Sequence, residues 1–290
     1  MYKMVVIDID GTLLTSEGNI TEETKEALLK AQESGMIVVL ASGRISSSTI
    51  TYAKSIGLNS YAISGNGSVI TEIETGKDIY TNCLGTKATQ NITNICKENS
   101  ISCNVYTLQE ILTEKIEYNI LFYSIQNREL SEDKKTKINI YSDITKAVSE
   151  KVDNNVSKIT ICDKDKSIFN SIIRKLRDIN GIEVLDVSHS SHKVIDVGSE
   201  KVDVDYYYTE VTKANVDKWY AVKYLSDKLG ISTEEIICIG DNANDIMMVQ
   251  NCGLGVILDN AAPIYKEKAK YVAPSNNDNG IVDVLNKFVF

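Results

Sequence analysis

Two aspartates, Asp8 and Asp10, stand with one residue between them inside the run "VVIDIDGTLL" (5–14). Like charges at the end of an apolar run are costly unless something pairs with them. A second acidic group, "GDNAND", follows the apolar run "IICIG" and supplies Asp241, Asn244 and Asp245. Ser42, Gly43 and Arg44 close the run "MIVVLASGR", and Ser64, Gly65, Asn66 and Gly67 follow "YAI". Lys213 opens the helical stretch ahead of "IICIG". Carboxylates among other oxygen donors suit a hard divalent cation, most naturally magnesium, which also relieves the repulsion between acids. A hydroxyl, a lysine and loop amides can hold phosphate oxygens. A carboxylate can attack phosphorus to give an aspartyl-phosphate, and a second acid can handle the leaving group's proton.

These residues lie far apart in the chain, so the elements between them must bring them together. Residues 4–9, 36–42, 61–64 and 236–240 are short apolar, β-branched runs and read as buried strands. Helical patterns separate them. Thr21 can cap a helix through Ser34, with Ala27, Leu28 and Ala31 on one face, and a second helix runs to Ile56 before Gly57. Residues 69–81 read as a hairpin turning near Gly76. A helix over 214–229 carries Val216, Trp219, Val222, Leu225 and Leu229 on one face, and "STEE" (232–235) is a capping box. Strand–helix–strand repeats predict a doubly wound parallel sheet, a Rossmann-like α/β core, formed by 1–81 and 192–290. Residues 82–191 read as an inserted α/β cap, with strands at 115–125 and 157–162 and helices near 131–150 and 165–179. Ligands of such sheets bind at the carboxyl ends of the strands, where Asp8, Ser42, Asn66 and Asp241 converge.

The bulk numbers narrow the function. The chain has 290 residues, 43% hydrophobic and 24% charged, ordinary for a folded soluble protein of about two domains. Its formal net charge of −9 argues against nucleic-acid and anionic-membrane partners. No apolar stretch approaches the ~20 residues that span a bilayer. No charged-then-apolar leader opens the sequence. Six scattered cysteines without a CxxC pair fit free thiols in a reducing cytoplasm. No GxxxxGKS/T, GxGxxG or HExxH pattern occurs, which disfavours P-loop hydrolysis, dinucleotide cofactors and zincin chemistry. His189 and His192 lack further ligands and read as polar loop or strand-edge residues.

"DIDGTLL", "ASGR", the lysine and "GDNANDIMM", in that order, resemble the four motifs of the haloacid dehalogenase-like hydrolases. "SGNGSVI" and the size of the insertion resemble the Cof-type sugar-phosphatase branch. The resemblance implies Asp8 as nucleophile and Asp10 as acid and base, its carbonyl also on magnesium. It implies Asp241 as the other magnesium ligand, with Asp245 close by. Ser42, Gly43, Lys213 and Asn244 would bind the phosphoryl group. Arg44 and Asn66 would lie on the substrate side, although Arg44 could instead pair with an acid. Where the family follows this lysine with glycine, the chain has Ala214; Lys218 is set aside as lying a turn into the helix. The implied activity is hydrolysis of a small phosphomonoester such as a sugar phosphate, with the cap selecting it, by a monomer or weak homo-oligomer. The rivals are a phosphotransferase or mutase using the same intermediate, and a phospho-accepting signalling protein.

Overall fold

The computed structural model describes residues 2–130, 132, 135–185, 191–197 and 200–290. The chain forms two compact units: Met1–Thr81 with Val216–Phe290, and Asn82–Asn215. In chain order, the first unit opens with β1 (Met4–Ile7), α1 (Glu22–Glu33), β2 (Ile37–Ala41), α2 (Ser46–Ile56), β3 (Tyr61–Ser64), β4 (Val69–Glu72) and β5 (Lys77–Thr81). The second unit holds α3 (Thr86–Glu98), β6 (Ser102–Thr107), β7 (Ile111–Thr113), α4 (Asn119–Glu129), β8 (Ile138–Ile140), α5 (Ile144–Lys151), β9 (Val156–Asp163), α6 (Lys166–Arg177), β10 (Ile182–Val184), β11 (Ser191–Val197) and β12 (Glu200–Lys213). The first unit resumes with α7 (Lys218–Leu229), β13 (Ile236–Gly240), α8 (Ile246–Asn251), β14 (Leu254–Leu258), α9 (Pro263–Lys266), β15 (Tyr271–Ala273) and α10 (Gly280–Phe288).

The first unit is built on one eight-stranded sheet in the order β15-β14-β13-β1-β2-β3-β4-β5. Pairing is parallel from β15 to β3 and antiparallel through the β4–β5 hairpin, which turns at Gly76. Strands buried on both faces must be apolar throughout, and β1, β2 and β13 are. Val5 and Ile7 pack with Ala27 and Leu28 of α1 and Val284 of α10 on one face. Met4 and Val6 pack with Ala221, Val222 and Leu225 of α7 and Met248 of α8 on the other. The chain winds outward from β1 through β2 and β3, and outward again from β13 through β14 and β15. The two directions part between β1 and β13, the place where such sheets open a crevice.

The second unit carries its own sheet, with β10-β12-β9-β6-β7-β8 adjacent in that order and β11 paired to β12. Alternation along β9 sends Ile159 and Ile161 into an apolar cluster with Ile92 of α3, Val148 of α5 and Phe169 of α6. The residues that alternate with them, Lys158 and Thr160, are buried and polar and meet polar partners. Lys158 Nζ pairs with Glu210 at 2.5 Å, and Asn104 donates to Thr160 Oγ1 at 3.2 Å.

Three sequence expectations change. The return to the first unit falls at Asn215–Val216, not at 191–192, because β12 pairs with β9 and β10 and so belongs to the second sheet. Residues 119–129 are helical although the stretch reads as an alternating strand; Asn119, at its start, is tied by its amide to Tyr106 and Thr160. The helix expected near 131–150 is confined to Ile144–Lys151, after β8, and residues 131, 133 and 134 lie outside the described residues. Among the described residues no helix is long and apolar enough to cross a membrane.

Candidate active site

The β1 backbone stays extended at Asp8 (φ −68°, ψ 159°), and the Asp8 N–H donates to the Ile239 carbonyl of β13 at 3.0 Å. Strand alternation therefore carries Asp8 onto the same face as Met4 and Val6, under α7 and α8. Asp8 is 5% exposed. The chain then makes a wide turn over Ile9–Leu13, in which Leu13 N–H returns to Asp8 O at 3.1 Å and Leu14 N–H to Ile9 O at 2.9 Å. Gly11 sits in that turn at φ +84°, and a Cβ there would stand 2.4 Å from Asp241 Oδ2. Both the backbone angle and the close approach exclude a side chain.

Lys218 is the central cation of the cluster. It is the first residue of α7, whose cap Asp217 accepts from Tyr220 N–H at 2.8 Å. Its ammonium is fully buried; it donates to Asp8 Oδ1 and, at 2.7 Å, to Asp245 Oδ1. The other Asp245 oxygen accepts the N–H groups of Asp241 and Asn242, each at 3.1 Å. Asp245 thus ties the β13–α8 loop to the lysine. Asp241 accepts from Thr12 Oγ1 at 3.0 Å, a residue of the same turn as Gly11.

Lys213 does not join this group. It ends β12 in the second unit, is exposed, and pairs through its backbone with Ile182. The helix starts four residues later than the periodicity of 214–229 implies, because Asp217 supplies the cap. Lys218 is accordingly at the helix start rather than a turn inside it. The signal that finds it is the capping aspartate directly ahead of it.

Around these residues, Ser42 is buried at the end of β2 and its hydroxyl accepts from Arg44 N–H at 3.1 Å. Ser42 O accepts from Asn66 N–H at 2.9 Å, and Gly65 N–H donates to Arg44 O at 2.8 Å, so the two loops are laced together. Asn66 holds φ +55° and its side-chain oxygen accepts from Asn244 at 3.1 Å. A Cβ on Gly43 would stand 2.9 Å from that same oxygen. Gly67, at φ +101°, lies against Asp217: a Cβ there would be 2.1 Å from the Asp217 carbonyl. Arg44 grips Asp10 through Nε to Oδ2 (2.8 Å) and through a second guanidinium nitrogen to Oδ1 (2.6 Å), a two-point ion pair. Arg44 thus pairs with an acid, the alternative reading of this residue, and that acid is itself a site residue. His189 lies outside the described residues.

The electrostatics follow from burial. Removal from water pushes the Asp8 carboxyl well above the usual carboxylate range; Lys218 opposes this, and the charges of Asp245 and Asp10 add to it. Asp241 is pushed up to about 6, by burial first and by the Asp245 charge next. Burial disfavours the Lys218 ammonium, but Asp245 and Asp8 more than offset this and raise its pKa. The cluster therefore holds more negative charge than one lysine compensates. Asp8, Asp241 and Asp245 offer carboxylate oxygens all within 4.8 Å of one another, an all-oxygen set that fits a hard divalent cation. A cavity of about 430 Å³ in the second unit is lined by Asn170, Ile173, Arg174 and Leu185 among others, with no carboxylate among the described lining residues.

A family model for haloacid dehalogenase-like hydrolases matches residues 5–285. The chain belongs to the haloacid dehalogenase-like hydrolases. It is 24% identical over 287 residues to the 5-amino-6-(5-phospho-D-ribitylamino)uracil phosphatase YcsE of Bacillus subtilis (strain 168), covering 99% of this chain and 96% of that one. A haloacid dehalogenase-like hydrolase from Bacteroides thetaiotaomicron superposes with a TM-score of 0.80 at 25% identity, covering 99% of both chains. The HAD subclass IIB sugar phosphatase BT4131 superposes with a TM-score of 0.74 at 19% identity, covering 99% of this chain and 98% of that one.

Proposed function

We propose that the protein is a magnesium-dependent phosphatase that hydrolyses a small phosphomonoester, a sugar phosphate or similar metabolite, through an aspartyl-phosphate on Asp8. The observation that carries this reading is the buried Lys218 ammonium held between Asp8 and Asp245. It opposes the rise that burial imposes on the Asp8 carboxyl and presents a fixed positive charge beside it, which favours an attacking oxygen and a phosphoryl group together.

In the first half-reaction an Asp8 oxygen forms a bond to phosphorus while the bond to the leaving oxygen breaks, and Asp10 gives that oxygen a proton. In the second, Asp10 takes a proton from water, whose oxygen bonds to phosphorus as the Asp8–phosphorus bond breaks. Arg44, fastened to both Asp10 oxygens, fixes the orientation of that carboxylate. Ser42 and Lys218 hold phosphoryl oxygens, with Gly43 and Asn244 beside them. Asp8, Asp241 and the Asp10 carbonyl would hold magnesium, with Asp245 behind them. The cation would neutralise charge on the phosphoryl oxygens. Substrate choice is assigned to the second unit. The sugar-phosphate class is supported by the likeness to a sugar phosphatase and to a phosphatase of a phosphorylated ribityl compound. The six free cysteines accord with a reducing, cytoplasmic setting.

The test is a panel of phosphorylated metabolites with magnesium and with EDTA, run on wild type and Asp8→Asn. Turnover that needs both magnesium and Asp8 is the expected result. Wild-type rates from Asp8→Asn would sink the covalent route.

A further inference from the structure

Two backbone hydrogen bonds span the wide turn over Ile9–Leu13, from Leu13 N–H to Asp8 O and from Leu14 N–H to Ile9 O. Two carbonyls of this segment are held by asparagines more than 240 residues later in the chain. Asn260 Nδ2 donates to Gly11 O at 2.9 Å, and Asn276 Nδ2 donates to Leu14 O at 2.8 Å. The two asparagines are linked, since Asn260 Oδ1 accepts from Asn276 N–H at 3.0 Å. Gly11 is the residue after Asp10 and the one whose backbone takes the left-handed angle. Its carbonyl direction therefore sets the peptide plane between Gly11 and Thr12, and Thr12 is the partner of Asp241.

We propose that Asn260 is a positioning residue for the Asp8–Asp10 turn: its amide fixes the Gly11 carbonyl and through it the relative placement of Asp10, Thr12 and Asp241. Asn260 touches no carboxylate of the cluster in any of these contacts; it acts through the backbone. The catalytic part of the proposal rests on the phosphatase reading above, while the structural part stands without it. A displacement of reacting groups by about 1 Å can cost two orders of magnitude in rate, so a tether of one hydrogen bond is enough to matter.

Asn260→Ala and Asn260→Asp separate the two halves of the contact. The aspartate keeps an acceptor for Asn276 N–H but sets an oxygen against the Gly11 carbonyl. Both variants should lower kcat for p-nitrophenyl phosphate with magnesium about 10-fold while KM stays within about threefold. Hydrogen exchange of a peptide covering residues 8–16 should quicken in both, with the thermal midpoint close to wild type because Asn260 is exposed. Asp8→Asn, run alongside, reports on the phosphatase reading by itself. If wild type proves inactive on this substrate, the exchange measurement still decides the structural claim. Unchanged exchange in both variants, or wild-type kcat and exchange in Asn260→Asp, would overturn the proposal.

Discussion

Lys218 shows how one residue decides the electrostatics of the site. Its ammonium is the contact shared by Asp8 and Asp245, both buried. Removing it leaves two carboxylates without their charge partner, a loss of the kind that costs about 3 kcal/mol or more. Lys218→Met should therefore lower unfolding stability in urea by about that amount and lower kcat by at least about 100-fold. Lys213→Met, at an exposed strand end in the other unit, should leave both near wild type. The aspartates were legible in the sequence because each sits in a short contiguous motif. The lysine was not, because two candidates lie five residues apart and the residue after the first is Ala214 rather than glycine. What separates them is the start of a helix, and that is set by the Asp217 side chain accepting from Tyr220 N–H.

At the level of elements, the site depends on turns docking against one another. The short turn Gly65–Gly67 after β3 seats the start of α7, with Gly67 against the Asp217 carbonyl. Gly67→Ala adds both the left-handed backbone penalty and a steric clash with a helix start, together about 3 kcal/mol. Gly76, also at positive φ but with nothing within 4 Å of a new Cβ, is the control; Gly76→Ala should cost about 1 kcal/mol and leave kcat unchanged. Loss of kcat in Gly67→Ala, measured beside a urea titration, reports displacement of Lys218. The central strands and the hairpin at Gly76 could be read from apolar runs and turn residues, since a strand buried on both faces has little choice of composition. Strand β12 could not, because "EKVDVDYYYTEV" is mixed in character and its place is fixed by pairing with β9, about fifty residues earlier. Helix α4 was hidden for a similar reason, its alternation pointing to a strand while contacts such as those of Asn119 are tertiary.

For the molecule as a whole, the acid cluster couples stability to pH and to cations. Without a cation, Asp241 binds its proton more tightly in the folded protein, at about 6, than a free aspartate does at about 3.9. Its contribution to stability is complete below about pH 4 and is lost as pH rises through 6. A divalent cation needs the ionised form, so the gain in thermal midpoint on adding millimolar magnesium chloride should be largest near pH 7.5 and shrink toward pH 5. A midpoint shift that is the same at both pH values would contradict this assignment. The pairing of β1 with β13 also has a bearing on how the protein is made. Asp8 is made well before its surroundings: the strand β13 beside it, the lysine that faces it and the asparagine that ties its turn all lie beyond residue 215. The second unit is complete before any of them is synthesised. A nascent chain thus carries Asp8 through the synthesis of the whole second unit before the groups that bury and orient it exist.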